Sequence, residues 1–522
     1  MTHIASTTMP DKLEEHSKAV SEIAAQVRGF YDRQQPYHIY HGSTNCTRKS
    51  SKTQANTVDT SPLNHVLHID PDKRVVIVEP NVAMDELVEA TLPQGFIPPV
   101  VMEFPGITAG GGFAGTSGES SSFRHGFFDR TVNKIEVVLA NGMVMQASPT
   151  ENEDLFYGAA ASFGSLGITT LLEIQLVPAK PYIRLEYYPI SSTTEAISEF
   201  QRFTNDADCH YLDGIMYSRD KGALCAGYLS DKPSRSAVVQ RFTRPTDPWY
   251  YMHVEDILSE GEPVREFVPL VDYLFRYDRG GFWVGKYACE YFLLPNTKAV
   301  RWVLDSLLHT RAMFHAVHKA GLFRRYTIQD VAVPYDGASD LIDHLDKSFG
   351  RYPLWLCPVR QTTQRPDGSK VHGLMAQHHP AGLNIHEPEM LLSIGVWGPG
   401  PGDGEEFVEF NRDVERRVHA LNGQKWLYAR TYYTEEEFWS IYDRDHFDRL
   451  RQKYHATYLP TLYEKVRVHL TEESKMPEIW PLTGLYGLLH SAMQSEYLMR
   501  RSVFKPAFIS AIVIAIAVYA SL

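Results

Sequence analysis

The sequence predicts an α+β fold, and three observations lead to this prediction. Apolar residues recur at helical spacing over residues 14–35, which indicates an amphipathic helix. A short β-rich run at residues 75–79 ends at Pro80, as strands commonly do. Two further β-rich runs flank Asn141-Gly142, the dipeptide most typical of a tight hairpin. Such a mixture of helices and strands between glycine turns is typical of the α+β class.

The remaining elements follow in order along the chain. In the first 180 residues we expect a β-like run at 38–40, a helix at 84–92 that begins with acidic residues, a loop-rich segment at 106–122, hairpin strands at 135–140 and 143–147, a helix at 153–161 and a strand at 168–177. Beyond them we expect a strand at 182–188, helices at 194–203 and 300–318, long loops over 359–405, and helices at 405–421 and 435–454.

Composition excludes several classes of protein. A chain of 522 residues has room for two or three domains, and its 43% apolar and 22% charged residues are typical of a globular protein. The net charge of −12 argues against a nucleic-acid partner, which requires a basic surface. Five cysteines are widely spaced, without a C-x-x-C pair, so the sequence predicts neither a metal site nor a disulfide framework.

The C-terminus differs sharply from the rest of the chain. Residues 506–522 carry no charge and are almost wholly apolar, and 17 residues is the short end of the length that spans a bilayer. Arg500, Arg501 and Lys505 precede this stretch, as expected on a cytosolic flank. We therefore expect a transmembrane tail anchor at residues 503–522 with the catalytic part facing the cytosol. A buried terminal helix is the alternative.

Residues 105–122 form the most informative segment, because six glycines and several hydroxyl side chains occur in it. Glycine allows a ligand to approach the backbone closely, and successive free amides make a cradle for a diphosphate. Gly110-x-Gly112-x-x-Gly115 matches the dinucleotide fingerprint formally, but a strand should precede that fingerprint, so we reject a Rossmann fold. The predicted cofactor contacts here are Thr108, Gly110, Gly111, Gly112, Gly115, Thr116, Ser117, Gly118, Glu119 and Ser120.

Several motifs of this region resemble a known family. The PGIT run at 105–108, the run NKIEVVLANGMVMQAS at 133–148 and the run SFGSLGI at 162–168 resemble the FAD-binding domain of the vanillyl-alcohol-oxidase and p-cresol-methylhydroxylase (PCMH) type. The resemblance implies a two-subdomain FAD-binding domain. It assigns cofactor contacts also to Gly42, Ser43, Thr44, Asn45, Gly164, Gly167 and Ile168. Asn45 stands where many members attach FAD through a histidine, so a non-covalent FAD is expected.

Later motifs narrow the resemblance to one branch. The runs ESSS at 119–122, HGFF at 125–128, PLWLCP at 353–358 and LYA at 427–429 resemble the Δ24-sterol reductase family. The resemblance implies reduction of the C24–C25 double bond of a sterol by NADPH through FAD, at the endoplasmic reticulum membrane. It divides the chain into a PCMH-type FAD-binding domain at 15–180, an α+β substrate (cap) domain at 181–480, and the anchor.

The reaction requires a proton donor, because an isolated alkene has no carbonyl that could polarise it. Tyr428, within the LYA run, is the predicted catalytic acid, and Tyr432 is the second candidate. A buried structural tyrosine is the alternative for both positions. Two other functions stay open: an FAD-dependent oxidase of a sugar lactone or alcohol, and a silent scaffold that keeps FAD for stability.

Overall fold

The computed structural model describes residues 9–42, 53–361, 389–402, 404–468 and 479–493. Its helices are α1 (Met9–Asp32), α2 (Met84–Thr91), α3 (Ala109–Gly115), α4 (Ser122–His125), α5 (Glu153–Ala159), α6 (Thr193–Thr204), α7 (Tyr250–Ile257), α8 (Leu270–Leu274), α9 (Val284–Tyr291), α10 (Lys298–Val303), α11 (Thr310–Ala320), α12 (Tyr335–Ser348), α13 (Gly404–Ala420), α14 (Glu435–Ile441), α15 (Arg444–Lys453), α16 (Leu462–Val466) and α17 (Leu482–Met493).

The strands are β1 (His38–Tyr40), β2 (Thr57–Asp59), β3 (Val66–Asp70), β4 (Val75–Val78), β5 (Phe96–Ile97), β6 (Val132–Leu139), β7 (Val144–Ala147), β8 (Gly167–Gln175), β9 (Val177–Pro178), β10 (Tyr182–Ile190), β11 (Tyr211–Ser218), β12 (Lys221–Ser230), β13 (Val264–Pro269), β14 (Tyr326–Pro334), β15 (Leu354–Gln361), β16 (Glu389–Pro399) and β17 (Gln424–Lys425). This mixture of helices and antiparallel sheets confirms the α+β prediction.

The first sheet has the strand order β3-β4-β8-β6-β7, with antiparallel neighbours throughout. The hairpin predicted around Asn141-Gly142 joins β6 to β7, with Val138 opposite Val144. Helix α1 packs against this sheet through apolar residues at helical spacing. His16 fastens the helix, because its ring bonds Glu79 of the β4 end at 2.8 Å and Glu136 of β6 at 3.2 Å.

The second sheet has eight antiparallel strands in the order β13-β10-β12-β11-β15-β16-β14-β17. Helices α6, α12 and α13 cover one of its faces and share an apolar core with it. The other face contributes to a larger core that also includes the first sheet. Side chains alternate between the two faces along a strand, so the six strands between β13 and β17 contribute to both cores.

Four predicted segments differ from the structure. The expected loop at 106–122 contains helix α3, and β16 occupies part of the expected loops at 359–405, of which 362–388 and 403 lie outside the described residues. The expected helix at 300–318 is wrong as a single element, because Asp305 and Leu307 belong to a turn of 3₁₀ helix between α10 and α11. The expected helix at 435–454 is divided because Asp443 caps the start of α15.

No helix within the described ranges is long and apolar enough to cross a membrane. The expected anchor at residues 503–522 lies outside those ranges.

Candidate active site

The glycine segment begins as a short helix with a polar cap. Thr108 is the N-cap of α3, and its side chain accepts a hydrogen bond from the Gly111 amide at 3.1 Å. The Gly110 amide donates to the Pro80 carbonyl at 2.7 Å, and the Gly112 amide donates to the Thr108 carbonyl at 2.8 Å. These amides are therefore engaged within the protein. Close packing explains the glycine at 110, since a Cβ atom there would lie 2.7 Å from the Cβ of Pro80.

Helix α3 is followed by backbone amides of the glycine segment that make no hydrogen bond within the described protein. The chain turns at Thr116 with a positive φ of 49°, and residues 117–119 belong to no helix or strand. In the described parts of the chain, the amides of Gly118 and Ser120 make no hydrogen bond. Glu119 is buried, and its Oε2 atom has no partner among the described residues. This set fits FAD, because the amides suit phosphate oxygens and the carboxylate suits a flavin N–H or ribityl hydroxyl.

Two other predicted cofactor segments lie next to each other. Gly42 has a φ of 70° and ends the described part of β1 and its turn, whereas Ser43, Thr44 and Asn45 lie outside the described residues. Gly164 has a φ of 75°, and a Cβ atom there would lie 2.5 Å from Ile39 of β1. Gly167 and Ile168 open strand β8 in the same region. The cofactor contacts assigned to these residues stay a prediction.

The structure brings the LYA run to the glycine segment. Strand β17 pairs with β14. The next residue, Trp426, donates its amide hydrogen to the Asp330 carbonyl of β14 at 3.0 Å. The Trp426 indole donates to the carbonyl of Thr116 at 2.7 Å. A Cβ atom on Gly115 would lie 3.2 Å from the ring of Tyr428. The predicted acid is therefore in contact with the end of α3.

Tyr428 forms a buried acid pair with Asp330. The two side chains share a hydrogen bond, and the Trp397 side chain also bonds Asp330. Burial raises the pKa of Asp330 to about 7, and the bond from Tyr428 acts in the opposite direction. Burial and the neighbouring Asp330 raise the pKa of Tyr428 well above its usual value. Asp330 is therefore the stronger acid of the pair, and it carries a proton in a large fraction of molecules at neutral pH.

A second carboxyl group, Glu103, lies in the same buried region. Burial raises its pKa to about 8, although Arg276 acts in the opposite direction. The Nη2 atom of Arg276 is 3.8 Å from Glu103 Oε1 and 2.8 Å from Asp213. Asp330 contributes to the raised pKa of Glu103, so the two carboxyl groups repel each other when charged. At neutral pH Glu103 is mostly protonated, which lets Asp330 and Glu103 share one site.

Tyr432, the second predicted acid, lies elsewhere. Its amide donates to Glu415 of α13 at 2.9 Å, and its ring packs against Phe407 of the same helix. Gln329, the neighbour of Asp330 on β14, bonds Asn411 of α13 at 3.0 Å. Since neighbouring residues on a strand point to opposite faces, Tyr432 lies on the α13 face and Asp330 on the other face. The geometry thus favours Tyr428 over Tyr432.

An apolar cavity lies on the same side of the second sheet as the acid pair. Together with its open mouth, it encloses about 1340 Å³ of empty space between α9, α11, α17, the start of β14 and the end of β16. Tyr326 and Ile328 line it from β14, and Asp330 follows on the same face of that strand. Trp397 lines the cavity and bonds Asp330. Trp397 therefore connects the wall of the cavity to the acid pair.

The cavity also lies close to Glu103. Phe314 lines it, and the Phe314 ring lies 5.7 Å from the ring of Phe104, the neighbour of Glu103. Arg311, on the same helix, donates to the Pro105 carbonyl at 2.9 Å and so ties α11 to the start of the glycine segment. The glycine segment is thus hydrogen-bonded at its start to Arg311 of α11, and after α3 to Trp426.

Sequence reasoning missed Asp330 and Glu103, although each leaves a signal. Asp330 follows Tyr326 and Ile328 at period two, so it is a carboxylate on the apolar face of a strand. Glu103 is the single charge in the apolar run VVMEF at 100–104. A charge on an apolar face is costly unless it is neutralised or paired, which makes it a candidate for function.

Comparisons with known proteins agree with this geometry. Residues 17–148 match a family model described as an FAD binding domain. The Delta(24)-sterol reductase of Homo sapiens is 28% identical over 465 residues, 86% of each chain. That of Arabidopsis thaliana is 27% identical over 441 residues, 80% of this chain and 77% of the relative. Cytokinin dehydrogenase 9 of Oryza sativa subsp. japonica is 29% identical over 137 residues, 26% of each chain.

The shorter match and the longer matches cover different extents of the chain. The match to the cytokinin dehydrogenase spans about a quarter of each protein, whereas the matches to the reductases extend through both sheets and the acid pair. They confirm the resemblance inferred from the motifs. The chain is a homologue of the Delta(24)-sterol reductases, and its first part contains an FAD binding domain.

Proposed function

We propose that this protein is an FAD-dependent oxidoreductase that reduces the C24–C25 double bond of a sterol side chain, with NADPH as the reductant. In this proposal residues 15–180 hold FAD non-covalently and residues 181–480 hold the sterol. The observation that carries it is the apolar cavity whose wall residue Trp397 bonds Asp330 of the Asp330–Tyr428 pair, beside the glycine segment. Homology to the Delta(24)-sterol reductases supports the same substrate class.

The chemistry explains why an acid belongs at this place. A proton added to the less substituted carbon of the double bond leaves a tertiary cation on its neighbour. When bound, reduced FAD supplies the hydride that this cation accepts. One proton and one hydride together add two hydrogens, so the reaction balances. The protein must exclude water from the cation and hold the proton donor at the alkene.

Asp330 is the proton donor in this proposal, and Tyr428 positions it. A carboxylic acid with a pKa of about 7 gives up its proton far more readily than a tyrosine whose pKa is raised well above its usual value. Asp330 Oδ1 is buried without a hydrogen-bond partner in the described chain, so it can carry a proton directed at a ligand. Glu103, mostly protonated, adds little negative charge to the site.

The proposal includes a tether to the membrane. In this proposal residues 503–522 are the anchor, because the stretch 506–522 is uncharged and almost wholly apolar, and the tether holds the enzyme at the membrane in which sterols dissolve. The endoplasmic reticulum, with the catalytic part in the cytosol, is the expected location because a basic flank precedes the apolar stretch.

The test uses the purified full-length chain. Its absorption spectrum should show bound flavin, which NADPH should bleach under anaerobic conditions. Addition of a Δ24 sterol should then restore the oxidised spectrum and yield the saturated side chain. Bleaching by a sugar or an alcohol instead of NADPH would identify an oxidase. Bound flavin that NADPH cannot reduce, even with sterol present, would identify a silent scaffold and refute the proposal.

A further inference from the structure

Exposed apolar side chains occur next to residues that line the cavity. More than half of the large apolar side chains that the described residues expose lie in two short stretches, at 293–303 and 479–489. We call these eight residues the apolar rim: Leu293, Trp302, Val303, Ile479, Trp480, Leu482, Tyr486 and Leu489. Trp302 is 57% exposed and Leu293 is 69% exposed, so the rim presents whole side chains to the surroundings. Contiguous exposed apolar surface of this kind marks an interaction site.

The rim is continuous with the cavity wall. Leu293 stands between Phe292 and Leu294, which both line the cavity, and Val303 directly precedes the lining residue Leu304. The Trp480 indole donates to the Tyr291 carbonyl at 2.6 Å, which joins the two stretches of the rim. The rim therefore borders the residues that line the cavity.

Helix α17 has one apolar face that lines the cavity and another that belongs to the exposed rim. Gly484, Leu485 and Leu488 line the cavity, whereas Leu482 and Tyr486 are exposed on the outer face. A helix that is apolar on both faces requires an apolar environment on each side. The cavity core satisfies the inner face. The outer face has no such environment in water.

The chain beyond α17 indicates which environment this is. Residues 494–522 follow the helix, and their sequence contains a basic cluster and then the uncharged stretch 506–522. The second stretch of the rim thus precedes, in the sequence, the segment predicted to be a membrane anchor. Two tryptophans and a tyrosine occur in the rim, and these side chains favour the interface between lipid and water.

We propose that the apolar rim lies in the surface of a lipid bilayer, so that the cavity opens directly into the membrane and receives its apolar substrate there. The proposal rests on the function proposed above for the identity of the substrate, but not for the contact with lipid. A sterol then passes from the bilayer to the acid pair without crossing water, which excludes it strongly.

The test of lipid contact uses a fluorescent label on the full-length protein with FAD bound, reconstituted in phosphatidylcholine vesicles. A Cys46→Ser background is used because Cys209, Cys225, Cys289 and Cys357 are buried. An NBD label at Trp302→Cys should shift to the blue and be quenched by lipids with brominated acyl chains. The matched control is Val238→Cys, which is 63% exposed and lies outside the rim; its label should stay water-like.

Three results would overturn the proposal. A water-like label at residue 302 would show that the rim does not touch lipid. A blue-shifted label that brominated lipid does not quench would show that the chain's own C-terminal residues cover the rim. A shift that depends on protein concentration in the absence of lipid would show that a second copy of the chain covers it.

A kinetic test separates entry of the substrate from the reaction. Trp302→Glu and Leu293→Glu should lower turnover of a Δ24 sterol dissolved in the vesicles about tenfold or more, and should leave turnover of cyclodextrin-delivered sterol nearly unchanged. Val238→Glu should change neither rate. Equal rates for bilayer-dissolved sterol in wild type and rim variants would contradict the proposal. If no sterol is reduced by either route while residue 302 still contacts lipid, the proposed function fails and the lipid contact stands.

Discussion

Replacement of Tyr428 by phenylalanine gives the sharpest test of the acid pair, because it changes the proton affinity of Asp330 without removing it. The tyrosine bond lowers the pKa of Asp330 against the effect of burial, which raises it to about 7. A hydrogen bond to a charged group contributes about 1.5–3 kcal/mol. At about 1.4 kcal/mol for each pKa unit, its loss should raise the pKa of Asp330 by roughly one to two units.

The pH dependence of turnover reports this change. Asp330 must carry a proton to act as the acid, so wild-type turnover should fall as the pH rises through about 7. In Tyr428→Phe this decline should move to higher pH. The assay mixes enzyme that has been reduced beforehand with a Δ24 sterol under anaerobic conditions. Stopped-flow absorbance then follows the return of oxidised flavin between pH 5 and 10.

Three comparison variants assign the decline to one group. Asp330→Asn should lower the rate by about 10²–10⁴-fold at every pH. Glu103→Gln and Tyr432→Phe should keep a decline near the wild-type pH. A Tyr428→Phe enzyme that is inactive at every pH would refute the assignment and make the tyrosine itself the acid. A decline that disappears in Glu103→Gln would move the role of acid to Glu103.

Two further predictions concern stability. His16→Ala should lower the free energy of unfolding by about 3 kcal/mol at pH 6, because it removes the protonated histidine that bonds both Glu79 and Glu136. Glu79 then keeps its bond with His65, and Glu136 keeps its bond with Thr170. Burial alone would lower the pKa of His16, but its bonds with Glu136 and Glu79 outweigh this effect and raise it to about 9. The stabilisation is therefore complete below the unfolded-state pKa of 6.5 and is lost as the pH rises towards 9; urea unfolding at several pH values measures it. Gly110→Ala should lower the unfolding free energy by about 1–3 kcal/mol and weaken FAD retention, because the added methyl meets the Pro80 backbone.

Each stability prediction has a matched control. His68→Ala removes a histidine from β3, in the same sheet, that bonds neither Glu79 nor Glu136, and should cost much less stability at pH 6. Gly111→Ala adds a methyl to an exposed position of α3, 3.1 Å from the Thr108 hydroxyl and away from Pro80, and should cost less than Gly110→Ala. Equal losses in Gly110→Ala and Gly111→Ala would show that close packing on Pro80 is not the reason for the glycine. A His16→Ala protein with wild-type stability at pH 6 would show that the bonds of His16 are not stabilising.

Local patterns predicted the first part of the fold well. Helix α1 and the β6–β7 hairpin follow from apolar spacing and from Asn141-Gly142, and both signals depend on neighbouring residues. The eight-stranded sheet could not be predicted in this way, because it pairs β11 with β15 across more than one hundred residues. Breaks inside helical patterns were also missed, since a cap such as Asp443 does not disturb apolar spacing.

The candidate site was predicted only where it has a contiguous motif. The glycine segment and Tyr428 occur within short runs that resemble motifs of a known family, and the structure brings these two together. Asp330 and Glu103 depend for their acidity on burial by distant parts of the chain, and burial is not a local property. The acidity of these two carboxyl groups therefore depends on long-range contacts, which a short sequence motif does not contain.

The indole of Trp426 has a consequence for how the two halves of the enzyme communicate. Its bond to the Thr116 carbonyl joins the segment after β17, which carries Tyr428, to the turn after α3. A ligand that steadies either side of this joint must also steady the other, and thermodynamic linkage makes the effect mutual. Sterol bound in the apolar cavity should thus raise the affinity for FAD, and bound FAD should raise the affinity for the sterol by the same factor.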